Sequence, residues 1–235
     1  MPDWLMAPVD AARAHDMPAL LAWHARAMTL AWGILVPCGI VAARFLKLWP
    51  GQHWPERLDH PGWWHVHRAC QYLAGLLTLI GLGMILSRQG RGSLSSTHVL
   101  LGWSLLSLAA LQFASAWLRG SKGGPTAPAP DGSWHGDHYD MTRRRIVFEH
   151  VHKLGGYAAM GLAVATIVTG LWQANAPRWM WLVLGVWWMA CLFLFAVLQK
   201  RGLAFDTYQA HWGIDPVHPG NHRTPIGFGI RRHVP

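Results

Sequence analysis

The sequence predicts an all-α integral membrane protein with five transmembrane helices, and three observations predict it. Apolar residues make up 52% of the 235 and charged residues only 13%, about half the charge of an ordinary soluble domain, which is roughly 25%. The remaining charges leave five gaps with no Asp, Glu, Lys or Arg: Ala27–Ala43, Ala69–Ser87, Gly92–Leu118, Leu154–Pro177 and Trp179–Gln199. Each gap is apolar all round rather than on one stripe, which a soluble helical bundle would not be.

Crossing a bilayer takes about 20 apolar residues as a helix. The gaps, with their flanks, predict helix A at 17–46, B at 63–87, C at 97–119, D at 148–174 and E at 178–199. For helix A, Met17–Trp23 extends the short first gap, with Asp16 as the expected cap and Pro18 suited to the first turn. Pro37 is expected to kink this helix. Three polar stretches, 48–62, 120–148 and 200–235, dilute the mean hydropathy to +0.17. The second, with Gly123, Gly124, Pro125, Pro128, Pro130 and Gly132, reads as a flexible connection. Organisation follows as an outer N-terminal segment 1–16, a transmembrane domain 17–199 and a cytoplasmic tail 200–235. The N-terminus has no basic region, so helix A is expected to act as the insertion signal.

The formal charge of +9 raises the question of nucleic acid, and the distribution of charge answers it. Five basic residues lie near the N-terminal side of helix A (Arg13, Arg26, Arg88, Arg91, Arg178) and fifteen near the other side. The positive-inside rule puts the basic side in the cytoplasm and the N-terminus outside, with a bacterial inner membrane as the expected location. Three cysteines cannot staple a fold of this size. They lie within spans, where inert thiols are the plain reading.

Fifteen histidines outnumber eleven acids, and an ionisable residue in a span is by default functional. His24 stands near the start of A, His65 and His67 of B, His98 of C, and His150 and His152 of D. A and C run inward while B and D run outward. Alternating direction therefore sorts the histidines into one layer per leaflet, each drawn from two parallel helices. Two imidazoles facing across a bundle are what bis-histidine haem ligation needs. A zinc or copper site would recruit Cys, Asp or Glu as well, and each layer offers too few ligands for a tetrahedron. Covalent c-type attachment requires Cys-x-x-Cys-His, which the chain lacks. Gly102, four residues after His98, and Gly155 and Gly156, just after His152, leave room beside the ligands. Arg26, Arg68 and Lys153 stand one or two residues from a ligand and suit haem propionates.

At these residues the chain resembles the cytochrome b561 family, in the five-helix form found in DOMON-linked members. The most specific stretch is His24-Ala-Arg-Ala-Met-Thr-Leu-Ala-Trp-Gly-Ile-Leu-Val-Pro-Cys-Gly, followed by Ala43-Arg-Phe-Leu-Lys47. His67-Arg-Ala-Cys-Gln71, Thr97-His98 with Gly102, and His152-Lys-Leu-Gly155 occur in the family's order. The resemblance implies two b-type haems, ligated by His24 with His98 and by His67 with His152. It selects His67 over His65 and His152 over His150. Each doublet is about 200° apart on a helix, so one member faces the bundle. It implies a four-helix haem-binding core with helix E as support or dimer surface, and electron transfer from cytosolic ascorbate to an outer acceptor such as a ferric chelate. The first helix of six-helix members and the DOMON domain have no counterpart here, and quinol from the bilayer is an equally natural donor. An accessory subunit of a larger respiratory or photosynthetic complex is the alternative expectation. Lys47, Arg119 and Arg143–Arg145 supply inner-face cations.

Most of the sixteen tryptophans lie near span ends, as an interfacial belt. Trp32, Trp103, Trp187 and Trp188 lie deeper, where packing is the plain reading and a place on an electron path the sharper one. His135, His138, His211, His218, His222 and His233 read as polar loop and tail residues, with a metal or docking site as the alternative. The stretch 206–221 reads as ordered against the protein's own bundle. Nothing resembles a dinucleotide or phosphate loop.

Overall fold

The computed structural model describes residues 3–58, 60–87, 96–123 and 133–233. Among the described residues five helices are long and apolar enough to cross a membrane: Ala19–Phe45, Gly62–Leu86, Thr97–Trp117, Arg143–Gln173 and Arg178–Lys200. They match helices A to E in order. The largest difference is at D, which begins at Arg143 rather than 148, because Arg143 to Glu149 continue the helix beyond the apolar stretch. Arg88, Arg91 and most of the Gly/Pro connection (124–132) lie outside the described residues. Among the described residues there is no β-strand, only two isolated bridges.

Helix A is built in three pieces: α2 (Ala19–Met28), a π-helical segment (Thr29–Leu35) and α3 (Val36–Phe45). The preceding α1 is a single turn, Asp3–Met6. Asp16 does not cap helix A; Pro18 occupies the N-cap and no side chain caps it. Pro37, expected to kink the helix, is preceded by the wide π turns. Proline has no N–H to give the carbonyl four residues back, which is Gly33. That carbonyl accepts from Trp187 Nε1 at 2.7 Å, so helix E supplies a donor where Pro37 cannot. Helices B, C, D and E are α4 (Gly62–Leu86), α5 (Thr97–Trp117), α6 (Arg143–Gln173) and α7 (Arg178–Lys200).

The chain forms two compact units. The first comprises Met1–Ile40, His67–Ser107 and Ala159–Ala196. Its N-terminal segment is strapped to the turn between α6 and α7. Buried Asn175 exchanges hydrogen bonds with Asp10, and Arg178 N–H donates to Ala7 O. Asn175 has φ +47°, a left-handed conformation that Asn tolerates better than most residues. The second unit comprises Val41–Val66, Leu108–Ala158 and Val197–Pro235. Here the tail forms α8 (Thr207–Trp212), capped by Asp206, and a short 3-10 turn, Pro219–His222. Met141, Tyr208 and Trp212 make a small core with Trp134, Tyr139, Ile146 and Ile226 around it. The expectation that the tail is ordered is met within this unit.

The Trp187 bond ties helix E to helix A within the first unit. Trp187→Phe keeps the ring and leaves a buried carbonyl without that donor, a loss of about 1–3 kcal/mol. Trp188 Nε1 is buried with no acceptor among the described residues, so Trp188→Phe should be near neutral. Thermal unfolding of both variants in detergent measures the contrast.

Candidate functional site

In the first unit the structure brings His24 and His98 together. Their ring centroids are 6.4 Å apart and the planes are 86° to one another. His24 Nδ1 lies 2.9 Å from Gly81 O on α4, and His98 Nδ1 lies 2.9 Å from Thr166 O on α6. A carbonyl oxygen carries no proton, so in each ring Nδ1–H is the donor and Nε2 keeps the lone pair. That is the tautomer of a metal-ligating histidine oriented by a backbone carbonyl. An ion bound by both rings needs nitrogen bonds of about 2 Å, with each ring centre about 1 Å further on, hence centroids about 6 Å apart. The observed separation fits one iron between them. Among the described residues no group of three or more His, Cys, Asp or Glu could hold a metal ion. Two imidazoles suit an iron whose equatorial ligands come from a macrocycle.

His67 also lies in the first unit, with Nδ1 3.0 Å from Gly39 O on helix A. His152 lies in the second unit. Ser115 gives its proton to Gln112 O, so its oxygen accepts from His152 Nδ1 at 3.4 Å. Phe148 stacks on the same ring, centroids 5.1 Å apart. Their doublet partners do otherwise: His65 is exposed, and exposed His150 bonds back to Ile146 O of its own helix. Four rings thus share one arrangement, Nδ1 on an oxygen of a neighbouring helix.

Three glycines make this packing possible. A Cβ on Gly170 would come 2.9 Å from His98 Cε1, one on Gly81 would meet Met28 at 3.2 Å and His24 at 3.6 Å, and one on Gly39 would press on Gln71 and Cys70. Gly102 and Gly155, expected to leave room beside the ligands, stand on the ligands' own helices. A Cβ on Gly102 or Gly156 would meet nothing within 4 Å, whereas one on Gly155 would collide with Gln112. Gly81 and Gly170, with Ser115 and Thr166, carry no signal in the sequence because they act across helices.

The cations differ among themselves. Arg26 is exposed and lies over Trp23, and Arg68 is exposed and lies over Tyr72. Lys153 donates to Glu149 at 2.6 Å and to Ile226 O at 2.7 Å. Arg44 and Lys47 are buried. Arg44 donates to Tyr157, Gln199 and Phe228 O, and Lys47 donates to Phe205 O at 2.8 Å. These residues fasten the tail within the second unit. Lys47, expected as an inner-face cation, is buried and engaged by the tail. His138 and His218, expected as polar loop residues, are buried. Burial, with Arg145 and His211 nearby, holds His138 well below the usual imidazole range.

The chain is similar to plant and animal proteins. It is 31% identical over 192 residues to a cytochrome b561, DM13 and DOMON domain-containing protein of Arabidopsis thaliana, covering 79% of this chain and 19% of that protein. It is 29% identical over 180 residues to a cytochrome b561 and DOMON domain-containing protein of the same plant, covering 75% and 33%. A putative ferric-chelate reductase 1 of Xenopus laevis is 27% identical over 157 residues, covering 66% and 23%. The chain thus spans a fifth to a third of the length of these relatives. No family model and no solved structure matches.

Lys47 makes stability depend on pH. Burial first, then Lys153, lowers its ammonium to about 7, while the unfolded chain holds its proton to about 10.4. Between those values the unfolded state binds more protons, so stability rises with pH, by up to about 1.4 kcal/mol per unit. Below pH 7 both states are protonated and the burial penalty is fully present. Lys47→Met removes this rise between pH 7 and 10, measured as the pH dependence of the unfolding temperature against wild type.

Proposed function

Because the chain belongs to the cytochrome b561 family, we propose that it is a transmembrane b-type oxidoreductase with two haems, passing electrons between a cytoplasmic-side or quinol donor and an acceptor on the opposite side. The observation that carries the reading is the His24–His98 pair, spaced for one iron with both rings tied through Nδ1. His24 and His98 hold one haem; His67 and His152 hold the second. The haem iron supplies one-electron chemistry by cycling between ferric and ferrous. The residues of the chain bind, orient and shield it.

The carbonyls of Gly81, Thr166 and Gly39, with the Ser115 hydroxyl, fix the ring angles and raise the basicity of the ligating nitrogens. Gly102 and Gly155 flank the ligands on their own helices. Arg26 and Arg68, exposed beside His24 and His67, are the cations for propionates. Lys153 has three donors, two of them engaged by Glu149 and Ile226 O, and keeps one for a propionate. Fifteen of twenty basic residues lie on one side of the spans, which supports a cytoplasmic tail and an outer N-terminal segment. One relative is named for ferric chelates, and a ferric chelate is the acceptor class proposed here.

A pyridine-haem assay on the purified chain tests the reading. The expected result is two protohaems per chain, one lost in His24→Ala or His98→Ala and the other in His67→Ala or His152→Ala, with His65→Ala and His150→Ala retaining both. Absence of protohaem overturns the reading. Reduction by ascorbate or quinol followed by electron transfer to a ferric chelate supports an enzyme that acts alone. Reduction only in the presence of a partner complex assigns the haems to an accessory subunit.

A further inference from the structure

Polar contacts that join helices A and B within the first unit include His24 with Gly81 O at 2.9 Å, Trp32 Nε1 with Thr78 Oγ1 at 3.1 Å, and His67 with Gly39 O at 3.0 Å. In order along helix A they fall at 24, 32 and 39, and along helix B at 81, 78 and 67. This is the descending order that antiparallel helices require. The outer two contacts carry proposed ligands. The middle one carries an indole.

Trp32 is 7% exposed and Thr78 5%, and adjoining Ala31 and Ala74 are at 0% and 3%. A site that needed only volume would be filled by Leu or Phe, since a buried indole brings an N–H that must find a partner. Here the partner is itself fixed: the Thr78 hydroxyl gives its own proton to Ala74 O at 2.7 Å. Trp32 also sits on the π-helical segment Thr29–Leu35, a departure from α-geometry that is frequent at functional sites. Eight residues separate it from His24 and seven from Gly39, about 12 Å and about 10 Å along the helix. The ring is therefore pinned about midway between the two ligand levels of helix A.

We propose that Trp32 is the electronic bridge across the bundle, its indole carrying the coupling for the electron that passes between the two haems. The proposal rests on the di-haem reading. One iron goes from ferrous to ferric and the other from ferric to ferrous; no bond forms or breaks, and the indole is neither oxidised nor reduced. Its contribution is a dense aromatic path where an aliphatic side chain would leave gaps, with the contacts across them lost.

The test is reduction of one haem by a light-driven or rapidly mixed reductant, followed by the rate at which the second is reduced, in wild type, Trp32→Phe, Trp32→Leu and Trp32→Met. Haem content and both midpoint potentials are measured on each. The expected result is a rate within about twofold for Trp32→Phe and about tenfold slower for Trp32→Leu and Trp32→Met, with two haems and unchanged potentials. Met fills irregular space and carries the test where Leu does not fold. Equal rates in all four proteins, or a slower rate accompanied by a shifted potential, overturn the proposal. A wild-type chain with fewer than two haems overturns the di-haem reading instead.

Discussion

A hydrogen bond from imidazole Nδ1 to an oxygen of a neighbouring helix is the interaction on which the proposed chemistry depends. In a bilayer a helix satisfies its own backbone groups, but a histidine side chain arrives with an N–H and a lone pair that hydrocarbon cannot satisfy. Gly81 O, Gly39 O and Thr166 O each take the N–H of one ring. Thr166 O also accepts from Thr169 at 3.0 Å, so it serves side chains from two helices. The tautomer, the ring angle and the presentation of Nε2 all follow from that acceptor. Gly81 and Gly39 are themselves acceptors, and a Cβ on either would crowd the neighbouring helix, at Met28 for Gly81 and at Gln71 and Cys70 for Gly39.

The second unit meets the cost of burial differently. Glu149, 4% exposed, is matched by Arg145 at 2.9 Å and Lys153 at 2.6 Å. A buried carboxylate left alone would be expensive, and two cations with good hydrogen bonds offset that desolvation. Arg44, Lys47 and Lys153 each donate to a backbone carbonyl of the tail. Cations from the more basic side of the spans thus also hold the C-terminal segment in a defined conformation. Asp206 does both jobs at once, capping α8 and pairing with Arg232.

The spans were legible in the sequence because crossing hydrocarbon is a matter of length and composition, both of which a single chain displays. Helices A to E fall within one or two residues of expectation at almost every end. The exception, the start of α6, lies where Arg143–Arg145 mark the end of the apolar run but not of the helix. The four histidines were legible as a pattern of depth, and the preference for His67 and His152 accords with rings that reach another helix while His65 and His150 stay exposed. What stayed hidden depends on register between helices. Nothing local announces that Gly170 must lack a side chain for His98, that Trp187 will supply the donor Pro37 lacks, or that His138 is buried. The π segment was hidden too, since Pro37 alone reads as a kink.

Low-temperature electron paramagnetic resonance of the purified ferric chain tests the central claim most directly. Imidazole planes at 86° on one iron predict a strongly anisotropic low-spin ferric signal, abolished in His98→Ala while the signal of the second haem persists. A ferric spectrum that is wholly high-spin, or a low-spin spectrum that His98→Ala leaves unchanged, contradicts the assignment of His24 and His98 as a ligand pair.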